Sequence, residues 1–153
     1  MDMAFIGSLV AAQTAVKIGE YNASINRQQA AYWDAKAKQQ RAAYEQIDKP
    51  RLEKKLKRDR SNFFVNTLMT GAEFSGTNYA MMLVFDYEQA TEKVIADYNE
   101  SLEYMETRNQ SLLFSQKAEA DIYKGKLGAV SEYAKAGGSL LSMANQHYGW
   151  IGA

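Results

Sequence analysis

Residues 71–78 read Gly71-Ala72-Glu73-Phe74-Ser75-Gly76-Thr77-Asn78, the one strong turn signal in the interior of the chain. Gly71 suits the left-handed position just past a helix, and Ser75 or Thr77 suits the N-cap of the next one. Upstream, residues 49–60 (KPRLEKKLKRDR) hold seven basic and two acidic groups, a net of +5. Downstream, residues 86–106 (DYEQATEKVIADYNESLEYME) hold seven acidic groups and one basic, a net of −6. Farther out lie two segments with no formal charge past Asp2, 3–16 (MAFIGSLVAAQTAV) and 136–153 (AGGSLLSMANQHYGWIGA). A chain that runs out to this turn and straight back sets residue i opposite residue 148−i. The basic segment then faces the acidic one, and the uncharged ends meet at one tip.

The hydrophobic pattern makes both arms helical. From Phe5, apolar and small residues recur at alternating steps of four and three: Phe5, Leu9, Ala12, Val16, Gly19, Ala23, Asn26, Ala30, Trp33, Ala37, Gln40, Tyr44 and Ile47. This is a heptad-like seam, interrupted by Asn26 and Gln40 and built largely of alanine. It predicts a helix over 3–47. Asp48 as N-cap and Pro50 in a first turn that needs no amide donor then predict a break and a second helix over 49–70. A third helix follows over 78–136, with a seam at Val84, Tyr87, Val94, Tyr98, Met105 and Leu112. Gly125 and Gly128 weaken it, and Gly137-Gly138 predicts a break before a short helix at 139–147. There are no strand signals. The expected fold is all-α: one elongated domain over 1–153, a long antiparallel hairpin about 100 Å long at 1.5 Å per residue. The rival is a fold-back at Pro50 that gives a three-helix bundle.

Composition narrows the chemistry. The 153 residues carry 18 basic and 18 acidic side chains, so no overall field favours nucleic acid or disorder. With no cysteine, disulfides, zinc–cysteine sites, iron–sulfur clusters and thiol nucleophiles are excluded. The single histidine, His147, forms no cluster. There is no phosphate-binding glycine loop, no Gly-x-Ser-x-Gly elbow and no Glu/His metal spacing, and no carboxylate pair is marked as acid and base. The expectation is a protein without catalysis, cofactor or small-molecule substrate.

Three features point to contacts. Gly7, Ala11, Ala15, Gly19 and Ala23 fall at strict intervals of four, a ladder of small residues that lets helix backbones approach closely, in lipid or in a protein tube. Arg51, Lys54, Lys55, Lys57, Arg58 and Arg60 either pair with the acidic arm or face DNA, with Phe63 and Phe64 beside them for stacking. Tyr148, Trp150 and Ile151 suit either a membrane interface or a docking plug. Neither uncharged end reaches the ~20 apolar residues of an ordinary spanning helix. The N-terminal segment also lacks the basic start of a signal peptide. Tyr21, Tyr32, Phe63, Phe64, Phe85, Tyr104 and Phe114 lie partly off the seams. That apolar surplus on a slender hairpin implies neighbouring copies closing into a ring or tube.

In order and spacing, the chain resembles the small internal virion proteins of short-tailed bacteriophages, stored in the capsid and released into the host envelope. The resemblance rests on Ala11-Ala12-Gln13-Thr14-Ala15 after a short apolar start, the basic segment, and a turn with Gly71, Ser75, Gly76 and Thr77 before Met81–Phe85. It continues through the acidic helix with Tyr98-Asn99, then Arg108-Asn109-Gln110, and an end spaced by Ala118, Ala120, Gly128, Ala134, Ala136, Gly137, Gly138, Ser139, Leu140 and Leu141. It implies an ejection or core protein that leaves the virion with or before the genome. Such a protein helps build a conduit through the outer membrane of a Gram-negative host. Its partners would be its own copies, portal and other core proteins, that membrane, and passing genomic DNA. By the same resemblance Phe5, Ile6, Leu9, Val10, Leu140, Leu141, Tyr148, Trp150 and Ile151 are the residues to meet lipid. The alternatives are a purely structural core, scaffold or head–tail adaptor subunit, and a DNA-binding accessory protein.

Overall fold

The protein is seen in a computed structural model that describes residues 3–69, 71 and 76–148, with side chains for 5–69, 71, 76–138 and 141. Every element among the described residues is helical: α1 (Met3–Ala43), a π-helical turn (Tyr44–Asp48), α2 (Lys49–Met69) and α3 (Thr77–Tyr148). The arm formed by α1, the π turn and α2 packs antiparallel against α3 as a hairpin, and the three-helix fold-back at Pro50 does not occur. The chain divides into two compact units, Met1–Tyr32 with Gln110–Ala153, and Trp33–Asn109. Both α1 and α3 contribute residues to each unit.

The expected break at Asp48-Lys49-Pro50 is replaced by the π turn. Lys49 keeps helical angles (φ −61°, ψ −47°), and its N–H donates to the Tyr44 carbonyl five residues back. A proline inside an α-helix lacks a donor and crowds the carbonyl four residues before it. Widening one turn accommodates both costs, so the helix axis continues. The extra residue also rephases the seam. Half-buried or buried positions run Ala37, Gln40, Tyr44, then Lys49, Leu52, Leu56, Asp59, Phe63 and Thr67, while Ile47, the expected seam residue, is left exposed.

Helix α3 likewise runs through Gly137-Gly138 to Tyr148 with no break. A glycine in a helix interior costs about 1 kcal/mol against alanine, which neighbouring turns of good helix formers offset. At the turn, Gly71 has φ +71° and its N–H donates to the Leu68 carbonyl at 3.0 Å, the expected C-terminal stop. Gly76 has φ +57°, and its carbonyl accepts the first bond of α3 from the Ala80 N–H at 3.2 Å. Gly76 therefore takes the N-cap position, and Thr77 is the first helical residue rather than the cap. Ser75 lies outside the described residues.

The seam of α3 differs from the expected one. Val84, Tyr87, Val94, Tyr98, Met105 and Leu112 are all exposed, Tyr87 at 74% and Val94 at 66%. The buried or half-buried line instead includes Met82, Phe85, Gln89, Glu100, Tyr104, Thr107, Ser111, Phe114, Ala118, Gly125, Ala129 and Ala136. Phe63, Phe85, Tyr104 and Phe114, expected partly off the seams, therefore belong to them. The physical reason lies in the other arm. The seam of α1 is alanine and glycine, with Ala12 and Ala23 at 0% exposure and Ala37 at 1%. So smooth a surface packs against the face of α3 that lets the backbones approach at Gly125, leaving Met105 and Leu112 outside. Farther along, Leu56 and Phe63 of α2 take Gln89 and Phe85, and Val84, Tyr87, Val94 and Tyr98 are left outside.

Candidate interaction surfaces

Within the unit Met1–Tyr32 with Gln110–Ala153, α1 and α3 meet backbone to backbone. A Cβ placed on Gly19 would stand 2.6 Å from the Asp121 carbonyl oxygen and 3.0 Å from the Gly125 Cα. One placed on Gly125 would stand 2.9 Å from the Ala15 carbonyl oxygen. Polar groups set the register here: Asn26 Nδ2 donates to Asp121 Oδ2 at 2.7 Å, and Ser111 Oγ donates to the Ala30 carbonyl at 2.8 Å. These pairings lie within about two helical turns of the 148−i register.

Of the small-residue ladder, Gly19 and Ala23 sit in this seam and Ala15 at its edge, where its Cβ would lie 3.3 Å from a Cβ on Gly128. Gly7 has nothing within 4 Å of an added Cβ, and Ala11 is exposed. Four residues advance a helix by about 400°, so a strict four-step ladder drifts about 40° per step and leaves any one partner. The buried line follows the 4–3 alternation instead.

The unit Trp33–Asn109 is tied by charge. Arg60 grips Asp86 with two parallel bonds, Nε to Oδ1 at 2.8 Å and Nη2 to Oδ2 at 2.9 Å. Lys55 Nζ reaches Glu92 at 3.1 Å, Lys93 Nζ reaches Glu53 at 3.8 Å, and Gln89 Nε2 donates to the Leu56 carbonyl at 2.9 Å. Gln40 bonds to α3 through both ends of its amide, donating to Glu103 at 3.0 Å and accepting from the Thr107 hydroxyl at 3.0 Å. The rings of Phe63 and Phe85 stack at 4.8 Å with 8° between planes.

Asp97 is the hub of this ladder. The Tyr44 hydroxyl donates to its Oδ1 at 2.8 Å, and Lys49 Nζ donates to both oxygens at 2.9 and 3.2 Å. In an α-helix, residues five apart point to different sides. The wider π turn brings Tyr44 and Lys49 to the same carboxylate. Partial burial and then the bond to Asp97 push the Tyr44 phenol up to about 12. The hydrogen bond to Asp97 raises the Lys49 ammonium, and the bonds from Lys49 and Tyr44 hold the Asp97 carboxyl below its ordinary value.

The basic segment thus divides. Lys55 and Arg60 pair across to α3, whereas Arg51, Lys54, Lys57 and Arg58 are exposed and have no ion pair among the described residues. Ile6 and Val10 of the N-terminal segment are exposed, Phe5 and Leu9 half-buried, and Leu141 is exposed at 74%. The side chains of Leu140 and Tyr148, and all of Trp150 and Ile151, lie outside the described residues. No helix among the described residues is long and apolar enough to cross a membrane.

A shallow cleft beside the π turn is lined by Gln40, Tyr44, Asp48, Asn99, Glu100 and Glu103. One oxygen of Glu100 is buried and has no hydrogen-bond partner. Among the described residues no three His, Cys, Asp or Glu side chains converge as metal ligands.

Sequence reasoning found the apolar heptad on α3 and assigned it to the wrong side. Its spacing was visible. What was missing was the signal that α3 carries a second heptad, the one its partner arm buries. Compared with protein families, curated proteins and solved structures, the chain matches none of them.

Proposed function

We propose that this chain is a non-enzymatic, self-assembling virion protein, an internal or ejection protein of a short-tailed bacteriophage. In this reading its copies form a ring or tube that helps carry the genome through the host outer membrane. The observation that carries self-assembly is the inverted placement of apolar side chains. Alanines make up most of the fully buried side chains, while Ile18, Tyr21, Tyr87, Val94, Tyr98, Leu127 and Val130 stand outside at half exposure or more. A monomer leaves these apolar side chains in water, and association covers them. The phage assignment is supported by the order of the sequence features, from the Ala/Gln-rich start through the Gly71–Thr77 turn to the glycine-spaced end.

Lipid contact in this proposal falls to the uncharged segments, with Ile6, Val10 and Leu141 as the exposed apolar side chains. The test is light scattering of the purified chain, followed by dye release from vesicles of phosphatidylethanolamine and phosphatidylglycerol. Oligomers that release dye are expected. Oligomers that neither release dye nor sediment with vesicles would favour the structural core, scaffold or adaptor subunit. A monomer under every condition would overturn both.

A further inference from the structure

In the unit Trp33–Asn109, α2 and α3 each present a second stripe on the side away from their shared seam. On α3 it runs Val84, Tyr87, Thr91, Val94, Tyr98, Leu102 and Met105, all exposed, at steps of three and four. On α2 it runs Arg51, Lys54, Arg58, Ser61, Val65 and Leu68, also all exposed and at the same steps. Each stripe lies two residues on from its buried seam, which at about 100° per residue puts it on the opposite face.

We propose that the outer stripe of α3 in one copy is the docking site for the outer stripe of α2 in a second copy of this chain. The proposal rests on the self-assembly reading above and names the surface that would carry it.

Charge selects this occupant. Glu88 borders the α3 stripe and has no ion pair among the described residues. Arg51, Lys54, Lys57 and Arg58 on α2 are in the same state. Two α3 stripes facing each other would bring acidic edges together, and two α2 stripes would bring cations together. Only the crossed pairing neutralises both.

Side-chain chemistry fits as well. Within one copy Arg60 lies opposite Asp86 and Lys55 opposite Glu92. A neighbour at the same height would keep that register between copies. It would set Arg58 beside Glu88 and Tyr87, Arg51 beside Val94 and Tyr98, and Val65 with Leu68 beside the apolar start of α3. A guanidinium over a tyrosine ring gains a cation–π contact while its stem covers apolar surface. Because the two surfaces differ, each copy keeps one of each free, and the contact repeats until a ring closes.

The chain has no cysteine, so engineered pairs report cleanly. Under oxidation by copper–phenanthroline, the double variant Lys54→Cys/Val94→Cys should give a ladder of linked multimers on a non-reducing gel. A mixture of the two single variants should give mixed dimers, and Val94→Cys alone should stay monomeric. Arg58→Glu should weaken self-association roughly tenfold or more, and Arg58→Glu/Glu88→Arg should restore it.

Crosslinking of Val94→Cys to itself would overturn the crossed pairing in favour of a two-fold one. Oligomers by light scattering with no crosslink would overturn this interface and leave self-assembly standing, whereas a monomer would overturn both. Loss of the crosslink on adding mixed-sequence duplex DNA would assign the α2 face to nucleic acid and overturn the proposal.

Discussion

Gly19 of α1 and Gly125 of α3 face each other with no room for a side chain, a Cβ on Gly19 falling 3.0 Å from the Gly125 Cα and 2.6 Å from the Asp121 carbonyl oxygen. The backbones of the two helices are in direct contact there, and the identity of these glycines follows from the approach.

Glycine positions should therefore sort by environment. Gly19→Ala and Gly125→Ala should destabilise by about 1–3 kcal/mol, because the backbone must shift to admit the methyl. Gly7→Ala and Gly137→Ala meet nothing within 4 Å and should stabilise by about 0.5–1 kcal/mol through helix propensity. Thermal unfolding followed by circular dichroism separates the two groups. Equal effects at all four sites would mean that the close approach is absent.

Asn26 holds register through its 2.7 Å bond to Asp121. Asn26→Ala should cost about 1–3 kcal/mol, since the half-buried carboxylate loses its donor. Replacing both, Asn26→Leu with Asp121→Leu, should recover much of that loss while loosening the register. Denaturant midpoints give the first result, and spin-label distances between the arms give the second.

The Tyr44–Asp97–Lys49 cluster gives unit Trp33–Asn109 a defined pH response. Tyr44 and Lys49 are raised in the fold, so their contribution is complete below their ordinary values near 10.0 and 10.5 and is lost as pH rises through the folded ones. Asp97 is lowered, so its contribution is present above 3.8 and is lost as pH falls through the folded value. Absorbance titration at alkaline pH should show a late phenol near 12 that is missing in Tyr44→Phe. Its persistence in that variant would refute the assignment.

The basic segment should respond in two ways. Lys55→Gln and Arg60→Gln remove ion pairs that are each half exposed, and should lower stability by about 0.2–1 kcal/mol apiece. Lys54→Gln, Lys57→Gln and Arg58→Gln break no such pair and should leave the helix content of the chain unchanged. A loss of helicity in the second set would show that all of these cations serve the fold.

The π turn is one residue too many for a straight helix. Deleting exposed Gln46 together with Pro50→Ala should yield an uninterrupted helix in which Leu52 and Leu56 keep their seam positions, with stability unchanged or higher. Deleting Ala31 from the middle of α1 should instead turn one part of the seam about 100° off its partner and destabilise the protein strongly. Unfolding midpoints compare the two deletions.

Much of the fold could be read from residue order. The glycines at 71 and 76 marked the turn, and the facing of 49–60 with the acidic run appears as Lys49–Asp97, Lys55–Glu92 and Arg60–Asp86. The seam of α1 from Phe5 to Tyr44 was visible in its 4–3 spacing, including polar Asn26 and Gln40, which find partners in α3. Other features were hidden. The π turn leaves no distinct mark beyond Pro50, which is equally at home starting a new helix. The Gly137-Gly138 pair is a breaker by propensity alone, and propensity yields to the turns on either side.

What the sequence by itself determined is the helical class, the direction reversal near Phe74 and the charge register between the arms, because these follow from local periodicity and from charges at matched distances from one turn. What only the tertiary structure decided is which of the two heptads on α3 is buried. A helix's pattern names its faces, but the partner chooses among them. Here the alanine and glycine seam of α1 takes the face of α3 that carries Ser111 and Gly125, while Leu56 and Phe63 of α2 take the face of Gln89 and Phe85 and leave Tyr87, Val94 and Tyr98 outside.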